Sequence, residues 1–231
     1  MSEQLDEKKE RAWREIAALD AAYARGELDD DGWHREMAAL VVPAYLKAST
    51  PQGGAGHSGT ASDWEWSRGV VADAIHRGGT FLDVGCANGL LMESIAEWLA
   101  QRGVEVLPHG LEIAPELADL ARRRLPHWAN RIFVGNVLGW RPPFCFDLVR
   151  TGLEYVPPAR RRELVAWLMR EVVAPGGRLI IGKFNEEVGE HRVKQALTGW
   201  GFPVGGTVER AHRSEPRLVY RAVWLDKPSH S

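Results

Sequence analysis

The feature that most restricts the fold is an alternation of short apolar segments with longer amphipathic ones, which begins at Gly78. Five segments have the pattern of strands: TFLDVG, HGLEI, RIFVG, FDLVRT and GRLIIGKF. The first three of these are separated by segments with a helical pattern, GLLMESIAEWLAQRG and APELADLARRRL. Such alternation predicts a parallel sheet with helices on both faces. VGGTVERA and RLVYRAVWL follow without an intervening helix. We therefore expect a doubly wound α/β fold, with a mostly parallel seven-stranded sheet and an antiparallel C-terminal edge hairpin.

The N-terminal quarter of the chain has a different pattern. Apolar residues recur at helical spacing before Gly26, DDDGWHREMAALVV indicates a second helix, and STPQGGAGHSGTA has the composition of a loop. Ser62 and Glu65 stand three residues apart and predict a capping box that opens the next helix. We assign residues 1–60 to a helical N-terminal extension with a Gly-rich linker, which acts as a lid and substrate cover. Residues 61–231 form the main domain.

Composition excludes several classes of protein. Lys and Arg total 29 against 31 Asp and Glu, a formal net charge of −2, so no basic excess is available for binding nucleic acid. The two cysteines, Cys86 and Cys145, form neither a disulfide framework nor a zinc motif, and we expect no bound metal. No apolar run approaches the roughly 18 residues of a membrane span, and the charged N-terminus does not resemble a signal peptide. We expect a soluble cytoplasmic protein.

The segment DVGCANG, residues 83–89, follows the first predicted strand. Ligands of open parallel sheets bind beyond the carboxyl ends of the strands, where this loop must lie. Its Gly85, Ala87 and Gly89 are two residues apart, which differs from the G-x-G-x-x-G spacing of dinucleotide sites. Glu112 ends the second strand, where an acid can accept both hydroxyls of a ribose. These residues indicate an adenosine-bearing cofactor, and they disfavour a dinucleotide oxidoreductase without excluding it.

The ordered series DVGCANG, LEI, VGNV, FDLVRTGLEYVP and VVAPGGRLIIG resembles the class I S-adenosylmethionine-dependent methyltransferases over residues 78–185. The final strand pair matches the reversed hairpin of that family and extends the resemblance to about residue 227. Residues 1–60 lie outside it. The resemblance implies that the chain binds S-adenosyl-L-methionine and releases S-adenosyl-L-homocysteine.

The resemblance also implies roles for individual residues. Asp83 orients the loop and, directly or through water, the methionine ammonium, while Thr151 offers its backbone to the amino acid end of the cofactor. Glu112 takes the ribose hydroxyls. The residues that pass beneath the methionine and ribose are Gly85, Cys86, Ala87 and Gly89, and those beside the adenine are Ile113, Asn136 and Val137. Asn136 stands where the family often has Asp, and its amide oxygen can accept the same hydrogen bond.

Three of these residues have ordinary structural alternatives. Asp83 can serve as a helix cap, Glu112 can be a solvated strand end, and Asn136 can be a turn residue. Each alternative is reasonable for one residue alone. The occurrence of all three at the expected places, in order, favours the cofactor site.

The segment RPPF, residues 141–144, resembles the (D/N)PP(Y/F) signature of methyltransferases that act on adenine or on side-chain amides. That signature belongs just after the fourth strand, whereas RPPF precedes it. We interpret Pro142 and Pro143 as a turn, which counts against a DNA adenine or glutamine target.

The candidates for contact with the methyl acceptor are Tyr155 and Glu154, after the fourth strand, and His57 in the linker. Tyr155 either bounds the acceptor site or only packs, and Glu154 is equally a surface acid. His57 is of interest because its loop can fold across the cofactor, although a solvated side chain is the simpler interpretation. Trp13, Trp33, Trp64 and Trp66 either pack the helices on the sheet or enclose an apolar or cationic small molecule.

The sequence thus predicts an S-adenosylmethionine-dependent methyltransferase that acts on an oxygen or nitrogen of a small molecule. Specialised metabolism is implied by the resemblance alone. Two alternatives stay open: a methyltransferase for protein or tRNA, and a non-catalytic partner protein that binds S-adenosylmethionine.

Overall fold

The computed structural model describes residues 2–229, with side chains for residues 13–229. The predicted N-terminal extension and the predicted main domain also include Met1, His230 and Ser231, which lie outside the described residues. Within this range the strands form one seven-stranded sheet in the order β3-β2-β1-β4-β5-β7-β6. The strands are β1 (Gly79–Val84), β2 (Val106–Glu112), β3 (Ile132–Val134), β4 (Phe146–Thr151), β5 (Val173–Glu187), β6 (Gly206–Ala211) and β7 (Leu218–Asp226).

Pairing in the sheet agrees with the prediction from sequence. β1 pairs in parallel with β2 and β4, and β3 and β5 extend the parallel part on either side. β7 is antiparallel to β5 and β6, so the two last strands form the reversed hairpin and β6 is the edge strand. The doubly wound fold with its antiparallel C-terminal edge is therefore confirmed.

Helices from the main domain cover both faces of the sheet. The helices of the chain are α1 (Ser2–Ala24), α2 (Asp30–Leu46), α3 (Ala61–Asp73), α4 (Leu90–Ala100), α5 (Pro115–Arg124), α6 (Arg161–Trp167) and α7 (Arg192–Gly199). The consecutive residues Phe81 and Leu82 of β1 point to opposite faces, as residues of a strand must. Phe81 belongs to the core beneath α3 and α4, and Leu82 to the core beneath α6 and α7. The sheet is thus buried on both sides, as parallel sheets generally are.

The start of α3 differs from the predicted capping box. Thr60 caps the helix, since its hydroxyl accepts a hydrogen bond from the Asp63 backbone N–H at 3.2 Å. The Asp63 carboxylate accepts one in return from the Thr60 backbone N–H at 3.0 Å. The prediction of a capping box with Ser62 and Glu65 was wrong. The pair Thr60 and Asp63 has the same three-residue spacing and stands two residues earlier, and the Asp63 carboxylate takes the part that a Glu usually has in a capping box.

The N-terminal extension docks above the carboxyl ends of the strands. Asp30 of α2 forms an ion pair with Arg160, and His34 Nε2 lies 3.2 Å from the backbone oxygen of Tyr155, which follows β4. In the linker, the carbonyl of Pro51 accepts a hydrogen bond from the Asn88 side chain at 2.7 Å. These contacts place α2 over the glycine loop. Among residues 2–229, no helix has both the length and the apolar composition needed to cross a bilayer.

Candidate functional site

A cavity of about 320 Å³ lies where the carboxyl ends of the central strands meet the N-terminal extension. Ligand cavities in proteins usually start at about this size. Eight of the residues predicted from sequence line it: Gly85, Ala87, Glu112, Ile113, Asn136, Val137, Glu154 and Tyr155. The five others, Asp83, Cys86, Gly89, Thr151 and His57, are not among its lining residues.

The glycine loop after β1 has a left-handed backbone at three positions, with φ of +73° at Gly85, +48° at Ala87 and +77° at Gly89. Gly85 is required for a second reason, because a Cβ atom there would lie 2.7 Å from the ring of Tyr155. Ala87 adopts the same region without being a glycine, and such strain is typical of functional loops. The loop therefore presents backbone rather than side chains to the cavity.

Glu112 holds the loop and faces the cavity. Its Oε2 accepts a hydrogen bond from the Ala87 backbone N–H at 2.8 Å, and its Oε1 accepts one from the Ala114 N–H at 3.0 Å. Glu112 is only 6% exposed, and this burial raises its pKa against the effect of the two N–H donors. It is therefore no solvated strand end. Each carboxylate oxygen keeps a lone pair that can accept a hydrogen bond from a ligand hydroxyl group. The side chain of Ile113, the next residue, is 39% exposed.

Asn136 acts as a turn residue and also lines the cavity. Its Oδ1 accepts a hydrogen bond from the Leu138 backbone N–H at 3.1 Å, as expected of an Asn turn. Asn136 can therefore be a turn residue and a residue of the predicted cofactor site at the same time. Val137 is buried and packs into the core while it closes the floor of the cavity.

Asp83 forms a buried ion pair that sequence reasoning missed. Its carboxylate accepts a hydrogen bond from Arg150 Nη1 at 3.1 Å, and the same nitrogen donates to the Tyr155 hydroxyl at 2.9 Å. Asp83 is 1% exposed and Arg150 is 5% exposed. Burial raises the pKa of Asp83 to about 6, although the charge of Arg150 opposes this. Asp83 is not the cap of α4, since that position belongs to Gly89.

A sequence signal for Arg150 was present. Arg150 is a charged residue directly after the apolar pair Leu148-Val149 of the strand FDLVRT, where a buried arginine needs a partner. Thr151, the last residue of β4, is fully buried and its hydroxyl donates to the Gly152 carbonyl at 3.1 Å. Cys86 is buried against α5. The cofactor roles of these side chains stay predictions.

The structure separates the three acceptor candidates. Tyr155 lines the cavity, and burial raises the pKa of its phenol, so the hydroxyl stays protonated at neutral pH. Glu154 lines the cavity and is exposed. His57 does not line it: its backbone N–H donates to Gln52 at 2.9 Å, which turns the linker back, and its ring packs edge-on against Trp64. The expectation that His57 reaches the acceptor is therefore not supported by its position.

The extension supplies the opposite wall of the cavity. Its lining residues are mostly apolar and come from α1, α2 and the linker: Trp13, Ile16, Trp33, His34, Met37, Ala38, Val41, Val42, Tyr45 and Ala55. Trp33 is fixed by a hydrogen bond from its Nε1 to Asp20 at 3.0 Å. Trp64 packs into the core and donates to Ser94, and Trp66 donates to the carbonyl of Ala211. Only the first two of the four tryptophans thus border the cavity.

Comparison with known proteins supports the fold rather than a particular relative. No protein-family model and no curated protein sequence matches the chain. Among solved structures it is similar to the [4+2]-cyclase SpnF, with a TM-score of 0.59 and 16% identity over 84% of this chain and 94% of that one.

Two solved methyltransferases are also similar. For the 1,6-didemethyltoxoflavin-N1-methyltransferase of Burkholderia thailandensis, the TM-score is 0.55 with 18% identity over 83% of this chain and 89% of that one. For the N-methyltransferase NodS of Bradyrhizobium japonicum WM9, the TM-score is 0.52 with 18% identity over 72% of this chain and 94% of that one. Identities at this level speak for the fold alone. With its strand order and reversed edge hairpin, the chain has the fold of the class I S-adenosylmethionine-dependent methyltransferases.

Proposed function

We propose that the chain is an S-adenosylmethionine-dependent methyltransferase that acts on an oxygen or nitrogen of a small molecule. The observation that carries this proposal is the single cavity shared by the glycine loop, Glu112, Ile113 and Asn136, covered by α2. Two similar structures are methyltransferases by name, and one of them was solved with S-adenosylhomocysteine and its small substrate.

The residues present fit this cofactor. Glu112 offers two buried carboxylate oxygens to a diol, Ile113 exposes an apolar side chain to a ring, and Gly85 and Ala87 leave backbone at the cavity surface. When bound, the cofactor supplies a methyl group that its sulfonium already activates. The protein therefore has to align the acceptor and exclude water, and such alignment supplies roughly 7–11 kcal/mol of barrier lowering.

The side chains at the acceptor end suit positioning more than base catalysis. Arg150 fixes the Tyr155 hydroxyl, and Asp83 fixes Arg150, so the phenol ring is held against the loop as a rigid boundary. Glu154 is the carboxylate at this end that can accept the proton of an alcohol. An amine acceptor needs only to arrive neutral.

The cavity wall and the charge of the chain favour a small acceptor over a macromolecule. An apolar wall from α1 and α2 covers the cofactor residues, which suits a small apolar molecule, and the chain has no basic excess for a tRNA strand. The free thiols of Cys86 and Cys145 agree with a reducing compartment, the cytoplasm.

A second candidate function is a protein that binds the cofactor without methyl transfer. The observation in its favour is that Arg150 engages the Tyr155 hydroxyl and that His57 lies off the cavity, which leaves exposed Glu154 as the acid at the acceptor end. One similar structure is a cyclase by name, so the fold also serves other chemistry.

The test combines calorimetry with turnover. The protein is titrated with S-adenosylhomocysteine, with S-adenosylmethionine and, as a control, with NADH; small phenols and amines are then screened for methylation by mass spectrometry, with bulk tRNA as the macromolecular control. We expect binding of both sulfur ligands, no binding of NADH, and methylation of a small acceptor. Failure to bind either sulfur ligand contradicts the proposal, and tight binding without turnover favours the second candidate.

A further inference from the structure

Asn88, the sixth residue of the segment DVGCANG, uses both ends of its side-chain amide. Its Oδ1 accepts a hydrogen bond from the Leu90 backbone N–H, at the start of α4, at 3.1 Å. Its Nδ2 donates to the backbone carbonyl of Pro51, in the linker, at 2.7 Å. The first partner can only donate and the second can only accept, so the orientation of the amide is fixed. Asn88 is 2% exposed, and it joins the glycine loop to the N-terminal extension.

The linker packs closely against this amide. Gly54 is buried, and a Cβ atom there would lie 2.6 Å from Nδ2 of Asn88. Gly54 does not have a left-handed backbone, so a glycine is needed there for the close approach rather than for its conformation. The next residue, Ala55, lines the cavity. The contact with Asn88 therefore sets the position of one part of the cavity wall.

The residue before Asn88 holds the other side of the same loop. The Ala87 backbone N–H donates to Glu112 Oε2 at 2.8 Å. The carbonyl of Asn88 itself accepts a hydrogen bond from Arg124 Nε at 2.9 Å, and Arg124 is held in turn by Glu93. One peptide unit thus separates the contact with Glu112 from the contact with the linker. A ligand that fixes Glu112 and the loop also fixes the amide that the linker binds.

We propose that Asn88 is a positioning residue that couples the glycine loop to the N-terminal extension, so that cofactor binding tightens the linker over the cavity. Coupling between two sites is reciprocal. Cofactor binding should therefore protect the linker, and release of the linker should weaken cofactor binding. Because the extension supplies one wall of the cavity, the same contact links cofactor binding to enclosure of the acceptor. This inference rests on the proposed methyltransferase function.

The test variant is Asn88→Asp. Asp keeps an oxygen for the Leu90 N–H, and its negative charge suits the N-terminus of a helix. It has no N–H for the Pro51 carbonyl, so the contact with the linker is lost while the contact with α4 is kept. Asn130→Asp is the matched control, because it adds the same charge at an exposed position.

Amide hydrogen exchange of the full-length protein is followed by mass spectrometry, with and without S-adenosylhomocysteine, for peptides from the linker (48–58) and from α4. In the wild type we expect S-adenosylhomocysteine to slow exchange in the linker. In Asn88→Asp the linker should exchange about 10- to 100-fold faster, as loss of a buried hydrogen bond implies, and the ligand should no longer slow it. Exchange in α4 should be unchanged. Calorimetry should show weaker binding of S-adenosylhomocysteine to the variant.

Gly54→Ala tests the same contact from the side of the linker. The added methyl group should push the linker away from the Asn88 amide without adding a charge and without changing α4. We expect the same faster exchange in the linker as in Asn88→Asp. This second variant decides the matter if Asn88→Asp fails to fold.

Three results would overturn the inference. The first is unchanged linker exchange in both variants, since Asn88 would then serve only the start of α4. The second is protection of the linker by S-adenosylhomocysteine that persists undiminished in both variants, since the ligand would then contact the linker directly. The third is an unchanged affinity for S-adenosylhomocysteine although the linker is released. Absence of S-adenosylhomocysteine binding to the wild type is a different failure and contradicts the proposed function. Exchange in ligand-free Asn88→Asp then still decides whether Asn88 holds the linker.

Discussion

The carboxylate of Glu112 accepts a hydrogen bond from the backbone N–H of Ala87 at 2.8 Å. This bond joins the end of β2 to the loop that follows β1, across 25 residues of sequence. The acid that the sequence assigns to a ribose is therefore also the acid that holds the glycine loop in its left-handed conformation. Cofactor binding and loop geometry depend on the same side chain.

Glu112→Ala should weaken S-adenosylhomocysteine binding by about 10- to 100-fold, because a buried bidentate acceptor is lost. It should also lower the free energy of unfolding by about 1–3 kcal/mol, since the N–H groups of Ala87 and Ala114 lose their acceptor. Calorimetry and urea unfolding measure the two effects. Glu116→Ala, at an exposed acid on α5, is the control. An unchanged affinity in Glu112→Ala would refute the ribose role.

Gly85→Ala should be more destabilising than Gly103→Ala. Both glycines have φ of +73°, so each alanine variant incurs the same backbone cost of about 1–2 kcal/mol. At Gly103 nothing lies within 4 Å of the added methyl group, whereas at Gly85 it meets the Tyr155 ring. Overpacking there should add about 1–3 kcal/mol. Urea unfolding of the two variants isolates the contact with Tyr155, and equal destabilisation would show that the ring moves aside freely.

The buried Asp83 predicts a dependence of stability on pH. Its pKa is about 6 in the folded protein, raised by burial, against about 3.9 in the unfolded chain. Below pH 4 the carboxyl group of Asp83 is protonated in both the folded and the unfolded state. Its contribution to the free energy of unfolding is then at its most favourable. Between pH 4 and 6 only the folded state keeps the proton, so stability falls as pH rises, until the charge is buried above pH 6.

The measurement is the free energy of unfolding of the wild type and of Asp83→Asn at several pH values from 4 to 8. The wild type should lose stability relative to Asp83→Asn as pH rises through this range, because the variant does not titrate there. The opposite trend would mean that Arg150 outweighs burial and lowers the pKa of Asp83 below its unfolded value.

Ala38→Trp should block the cavity, since Ala38 of α2 is among its lining residues. A large side chain there should reduce S-adenosylhomocysteine affinity at least about tenfold, which corresponds to an overpacking cost of 1–3 kcal/mol. Ala39→Trp provides the matched control, because Ala39 is the next residue of the same helix and is exposed. Equal calorimetric affinities for the two variants would show that the ligand does not occupy this cavity.

The sequence by itself determined the sheet, the reversed hairpin and much of the cavity lining. Gly85, Glu112 and Asn136 were found because each stands at or just after the end of a strand whose pattern is local. The carboxyl ends of parallel strands must lie at one edge of the sheet. Their relation to one another follows from topology, which periodic patterns of apolar residues specify well.

Only the tertiary structure decided which side chains pair in the interior. Asp83 and Arg150 are 67 residues apart, and no periodic pattern links them. The docking of α2 over the loop depends on Asp30 with Arg160 and on His34 with Tyr155, contacts between segments more than 100 residues apart. His57 is not among the residues that line the cavity, and the sequence could not show this because the course of a glycine-rich linker depends on the surface against which it packs. Local patterns specify elements, whereas burial and charge pairing across the chain specify the site.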